Sequence, residues 1–334
     1  AQAALNDGMD PVAYASNYGL NLNAATGTPI TVWNPITGNY VDYTVNGLYD
    51  GYINKDKTMR FSDTDWLDEI SRTGFSQNYD LSLSHANEKH STMFSLGYKK
   101  NSGILKYTDF ENISARMNSS YNVNKYITVG ENFTVTYTSQ VDCAPMENAL
   151  KMAPTVPVYE EDGVTFAGPV GGMSDRQNPA RLIADNKQNH HDNLRLFGNV
   201  YASIEFMKGL TFRSSFGVDG VGSWKRTMDY KYKSGFLSED KNKVYQESYF
   251  DLSCTNSNVL QYVFDANKSN FDIMLGQETI THTYQQHWGS RRNIALENDD
   301  YMWLSAGESE KDNGSGAVKN AMISWFGKIN YNYD

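Results

Sequence analysis

Apolar and polar residues alternate with period two along most of the chain beyond residue 76, the pattern of a β-strand with two unlike faces. In 77–84, Tyr79, Leu81 and Leu83 stand opposite Asn78, Asp80, Ser82 and Ser84. Phe94, Leu96 and Tyr98 alternate with Ser95, Gly97 and Lys99, and Ile113, Ala115, Met117 and Tyr121 with Asn112, Ser114, Arg116, Asn118 and Ser120. Ile127, Val129, Phe133, Val135 and Tyr137 form the apolar side of the next run, which Glu131 interrupts once. After a gap, Leu194, Leu196, Val200, Ala202, Ile204 and Phe206 share a parity, as do Leu210, Phe212, Phe216 and Val218. Phe250, Leu252, Leu260, Tyr262 and Phe264 follow, then Phe271, Ile273 and Leu275, and last Ile323, Trp325, Ile329, Tyr331 and Tyr333. Nine strands are predicted.

A soluble sandwich also alternates, but its strands run near five or six residues. These runs reach roughly 9–13, the length that crosses a bilayer at a tilt. Several apolar sides end in aromatics (Tyr79, Tyr98, Tyr121, Tyr137, Phe206, Tyr333), as the interfacial girdles of membrane barrels do. The opposite sides carry Asn, Ser, Thr, Gly and single charges, which suit a hydrated lumen. Link lengths add an independent sign. Short links at 86–90, 122–126, 207–209 and 265–270 alternate with long ones at 101–109, 139–193, 220–247 and 279–320. Membrane barrels sort their connections in this way, with short periplasmic turns and long extracellular loops. The expected architecture is therefore all-β: part of a transmembrane antiparallel β-barrel, with 1–75 as an extracellular loop leading into a barrel segment at 76–334. Within the long loops, ENALKM suggests a short helix at 147–152, stopped before Pro154, and NPARLIAD a second one, with Asn178 as its cap and Pro179 in its first turn.

Composition narrows the function. Acids outnumber bases 39 to 29, a net charge of −10, which argues against a nucleic-acid or anionic-surface binder. Aromatics make up 13% of residues, too many for a disordered chain. Cys143 and Cys254 stand far apart, with no zinc or redox spacing. No run is apolar enough for a transmembrane helix, which leaves strands as the means of crossing. The first residues are not an intact signal peptide and the last strand stops abruptly, so a piece of something longer is expected.

Catalytic chemistry finds little support. His190 and His191, being adjacent on a strand, point to opposite faces and cannot easily share an ion; His282 and His287 lack a third ligand at a recognisable spacing. Glu160, Glu161 and Asp162, or Asp299 and Asp300, could form a glycosidase pair, but acidic loops are common on outer surfaces. No nucleophile elbow, phosphate loop or zincin motif is present. No catalytic residue, metal or cofactor is expected. The stronger signal is aromatic enrichment in the long loops. Trp224 and Tyr230 in one, and Tyr284, Trp288, Tyr301 and Trp303 in another, are the candidate substrate-binding residues, because a flat ring offers apolar area beside polar neighbours. The same rings would equally serve to pack loop against loop.

The stretch 64–133 resembles the first-half barrel region of the SusC/RagA family of TonB-linked outer-membrane proteins. It carries the family's entry motif (Asp65, Trp66, Ile70, Arg72, Gly74), then Gln77–Ser84, the hairpin into Phe94–Tyr98, Gly103 with Ile104, Arg116 with Asn118, and Val129–Asn132. NPARL at 178–182 and WFGKINYNYD at 325–334 resemble later landmarks, so the likeness covers most of 64–334. One departure is His85–Ala86, where the family usually has Gly-Gly. The resemblance implies import of oligosaccharides or peptides across the outer membrane of a Bacteroidetes-like cell. A SusD-like surface lipoprotein would act as lid, and TonB–ExbB–ExbD would supply energy through a plug domain that is not in this chain. Nine strands are fewer than half of such a barrel, so this stretch cannot close alone. A glycan-binding or attachment barrel without transport, and a secreted β-rich hydrolase, are the alternatives.

Overall fold

The computed structural model describes residues 2–17, 20–23, 28–47, 51–171 and 173–333. The chain opens with two short helices, α1 (Gln2–Asn6) and α2 (Pro11–Ser16), and a three-stranded sheet of β1 (Leu20–Leu22), β2 (Thr28–Asn34) and β3 (Asn39–Gly47), in the order β1-β3-β2. A single helical turn, α3 (Trp66–Ile70), then leads into the main sheet. The lead-in expected as a loop thus holds local structure of its own.

The main sheet has nine strands: β4 (Ser76–Ala86), β5 (His90–Ser102), β6 (Asp109–Asn122), β7 (Ile127–Val141), β8 (His190–Met207), β9 (Leu210–Asp229), β12 (Lys243–Ala266), β13 (Ser269–Ile294) and β14 (Gly307–Tyr333). The small hairpin β10 (Tyr232–Ser234) and β11 (Leu237–Glu239) sits in the link between β9 and β12, and the helices α4 (Met146–Lys151) and α5 (Pro179–Asn186) in the link between β7 and β8. Every neighbour in the nine-stranded sheet follows in sequence and pairs antiparallel. The links at 87–89, 123–126, 208–209 and 267–268 are short; those at 103–108, 142–189, 230–242 and 295–306 are longer. All nine expected strands are present and the alternation of link lengths holds.

The strands grow along the sheet, from 11 residues in β4 to 27 in β14. The expected lengths near 9–13 were too short for β6, β7, β8, β9, β12, β13 and β14, most of all for the last four, and the expected loops at 220–247 and 279–320 shrink accordingly. The reason is periodicity. Toward the long-link end of β13, Thr279, Thr281, Thr283, Gln285 and His287 occupy the parity that carries Phe271, Ile273 and Leu275 below. Both faces are polar there, so the strand continues without an alternation to mark it.

Register aligns the apolar parities into one continuous face. Leu81, Leu96, Ala115, Val135, Leu196, Gly220 and Leu252 form a single row across seven strands. The two buried cores of the described residues lie elsewhere. One joins Ile53, Met59, Trp66 and Ile70 to Ala149, Met152, Val156, Ala167 and Ile183, all outside the sheet. The other gathers Met228, Val244, Ile294 and Met302 at the long-link ends of the strands. The apolar face itself stays open: Leu81 is 58% exposed, Ile323 66% and Trp325 81%. Water does not tolerate so large an apolar surface, whereas lipid requires one.

The recurring sequence landmarks are structural devices at the long-link end. Asp65 caps α3 by accepting from the Leu67 and Asp68 amides, and Trp66 donates its indole N–H to the Ala153 carbonyl at 3.1 Å. Arg72 ties the 103–108 link, donating to the carbonyls of Gly103 and Thr108 and to the Asp109 carboxylate at 2.8–3.0 Å. At Gly74 a Cβ would lie 2.8 Å from the Ser102 carbonyl oxygen. Asn178 caps α5 through Oδ1 while its Nδ2 donates to the carbonyls of Val158 and Ala167. Arg181, almost fully buried, stacks 3.6 Å over the Tyr232 ring, pairs with Asp185 at 2.6 Å and donates to Gln177. This stack pins the β10–β11 hairpin to α5. Burial drives the Asp185 carboxyl above its usual range, with Arg181 pulling against it.

Candidate functional site

The polar face opposite the apolar rows carries the candidate site. Near the long-link end of β12 and β13, four rings form two cross-strand pairs. Tyr245 stacks on Trp288 with centroids 6.0 Å apart, and Tyr249 lies against Tyr284 at 5.8 Å. Such pairs contribute about 0.5–1.5 kcal/mol beyond the area they bury. All four take the polar parity because β12 and β13 pair Glu247 with Trp288 and Asp251 with Tyr284 without a bulge between. Their hydroxyls engage polar neighbours: Tyr245 donates to Glu247 at 3.2 Å, Tyr284 to Gln286 at 2.7 Å and Tyr249 to Asn193 at 3.5 Å.

Below the rings the same face holds charged and amide pairs. Asp251 meets His282 Nε2 at 2.7 Å. Arg195 grips Asp219 with two bonds of 2.8 Å. The Arg213 guanidinium lies 3.8 Å over Tyr201, and Asn132 donates to Asn199 at 3.2 Å. Aromatic planes with hydrogen-bonding rims, above a hydrated surface of satisfied charges, suit weak sequential contacts with an extended polar molecule.

The six expected site residues do not come together. Tyr284 and Trp288 are on the polar face, but within β13 and not in a loop. Trp224 is likewise strand, in β9, and takes the apolar parity of Phe216 and Val218; its ring lies 6.3 Å from Tyr137 in an aromatic belt. Tyr230, Tyr301 and Trp303 are in links, as expected. Tyr230 packs on the Met228 cluster and donates to Asp299, and burial first, then that carboxylate, raises its phenol. Trp303 covers Arg226, whose guanidinium is 4.1 Å from the ring centroid. Tyr245 fell in the expected loop at 220–247 and Tyr249 just beyond it, and neither was singled out; their spacing of four on a strand was the available signal.

The other candidates have local roles. His190 and His191 do point apart, to Ser139 at 3.3 Å and Ser223 at 2.9 Å. Glu161 pairs with Arg60, and Asp162 closes its own turn onto Val164 and Thr165. Asn112, Asn118 and Asn132 all take the polar parity.

No family model matches the chain. It is 26% identical over 306 residues to the TonB-dependent receptor SusC of Bacteroides thetaiotaomicron, an alignment covering 81% of this chain and 29% of that receptor. The chain is SusC/RagA-like. The TonB-dependent receptor P3 of Formosa agariphila is 24% identical over 289 residues, covering 81% of this chain and 28% of the receptor. Among solved structures, the RagAB peptide transporter contains a chain that superposes with a TM-score of 0.67 at 21% identity, over 82% of this chain and 32% of that one. The RagAB peptide importer in its open-open state gives 0.68 at the same identity. The SusC/RagA-like chain spans about three tenths of the length of the curated relatives it matches. These relatives are receptors and transporters, not enzymes. The nine strands are part of the wall of an outer-membrane β-barrel, with the apolar face toward lipid and the polar face toward the lumen.

Proposed function

We propose that the whole protein imports oligosaccharides or peptides through a TonB-dependent outer-membrane barrel, and that this chain supplies wall, lumen lining and outer loops. The observation that carries the reading is the aromatic ladder Tyr245–Trp288 and Tyr249–Tyr284, set on the lumen face of a sheet aligned with SusC. Energy would come from TonB–ExbB–ExbD acting on a plug domain outside this chain, and a SusD-like lipoprotein would close the outer mouth. The long links and residues 51–75, packed together as one cap, would face the outside. Tyr284 and Trp288 would touch substrate; Tyr230 and Tyr301 would shape the outer links.

The test is energised uptake of labelled oligosaccharide and peptide pools by cells carrying the full-length protein. Trp288→Ala and Tyr284→Ala are each expected to lower uptake about five-fold or more, since one stacked ring contributes roughly 1–3 kcal/mol, while the barrel still assembles. Uptake that is unchanged in both variants, or that persists without TonB, would refute the proposal.

A further inference from the structure

The apolar face carries a built feature that import does not use. At the level of the Tyr137–Trp224 aromatic belt, an outward cleft of about 320 Å³ is lined by His190, Asp192, Trp224, Arg226, Gln246 and Trp303. Arg226 lies beneath the Trp303 ring, and its Nη1 is buried without a hydrogen-bond partner. A guanidinium short of partners is costly to leave so, and its charge favours an anionic oxygen in the cleft that Arg226 lines. Asp192 sits across the cleft and accepts from the Tyr137 hydroxyl at 2.9 Å, which leaves acceptor capacity on its carboxylate.

Directly below Trp224 on the same face come Gly222 and Gly220. Register places Leu194 and Phe250 on either side of Gly222, and Leu196 and Leu252 on either side of Gly220. A Cβ at Gly222 would meet nothing within 4 Å. The result is a trough one strand wide, floored by glycine backbone and walled by leucine and phenylalanine. It starts below Trp224, which stands between it and Arg226 along β9, and it narrows at Gly220, where a Cβ would lie 3.3 Å from Leu252 Cδ1.

We propose that cleft and trough together hold one phosphate-bearing membrane lipid. Its phosphate sits on Arg226, a neighbouring ammonium or hydroxyl group on Asp192, and one acyl chain in the trough. Both an ethanolamine phosphate headgroup and a phosphorylated amino sugar carry this chemistry. The inference rests on the outer-membrane reading. A protein that leaves the cell envelope without detergent would sink that reading, separately from the outcomes below.

The full-length protein is extracted in mild detergent and its bound lipids are counted by native mass spectrometry. It is then stripped and reloaded with phosphatidylethanolamine or with lipid A. The wild type is expected to keep one tightly held phosphate-bearing lipid, and whichever lipid reloads more strongly names the source. Gly222→Leu puts a side chain into the trough, its Cβ meeting nothing within 4 Å, and Arg226→Gln removes the charge. Each is expected to reduce retention about ten-fold or more, the effect of losing a charged hydrogen bond or a chain's apolar contact. Ser215→Gln, on the lumen face, should retain lipid as the wild type does. Heat-modifiable mobility verifies that every variant is folded. Wild-type retention by Gly222→Leu would overturn the proposal, as would equal displacement by chainless glycerophosphoethanolamine and by intact lipid.

Discussion

An arginine at Leu196 should damage the barrel far more than one at Asn199, three residues away. Leu196 lies in the apolar row between Val135 and Gly220, with no acid beside it. Near the bilayer midplane an outward Arg costs about 2–4 kcal/mol, or about 30-fold to 700-fold in the folding equilibrium. Asn199 has the lumen parity, between Asn132 and Gly217, where a guanidinium stays hydrated. Val200→Arg supplies an internal gradation. Val200 shares the apolar face, but register sets it opposite Glu131, whose carboxylate accepts from Ser119. An Arg there gains a counter-charge, so its penalty should fall below that of Leu196→Arg. Urea unfolding of the full-length variants in vesicles, followed by heat-modifiable mobility, gives the order. Damage from Asn199→Arg equal to that from Leu196→Arg would refute the assignment of faces.

Two further outcomes follow from the long-link cap and the links. Asn178→Ala removes the α5 cap and strands the carbonyls of Val158 and Ala167, so hydrogen exchange of the 180–186 amides should speed by about 30-fold or more, corresponding to a loss of roughly 2–4 kcal/mol. Lys125 lies in a short link and Lys233 in a long one; in cysteine variants of a Cys143- and Cys254-free full-length protein, an impermeant maleimide on intact cells should label position 233 and spare 125.

The sequence revealed the lipid-facing part of the sheet because the bilayer enforces period two there. Outward residues there are apolar with few exceptions, Glu131 among them, and inward ones are mostly polar, so Leu194 through Phe206 could be assigned a face from the pattern alone. Above the band both sides are wet and the constraint lapses. The upper halves of β13 and β14 therefore read as loop, and Tyr284 and Trp288 were assigned to the wrong kind of element. Trp224 shows the same limit from the other side, since only register puts it in the outward aromatic belt. The entry motif at 65–74 and NPARL at 178–182 were legible as landmarks. Their work, capping and tying links, depends on carbonyls such as those of Ala153 and Ala167 that local pattern does not reveal.

The most direct test of the account is a spin-label scan of β8 in the full-length protein in lipid vesicles, one label at each position from 194 to 204, short of the register shift at 205–207. Oxygen, which concentrates in lipid, should reach the even positions best, and a water-soluble nickel complex the odd ones, in strict alternation. Equal access of the nickel complex to both parities would mean that the apolar face meets water or protein, and would contradict the membrane-spanning wall.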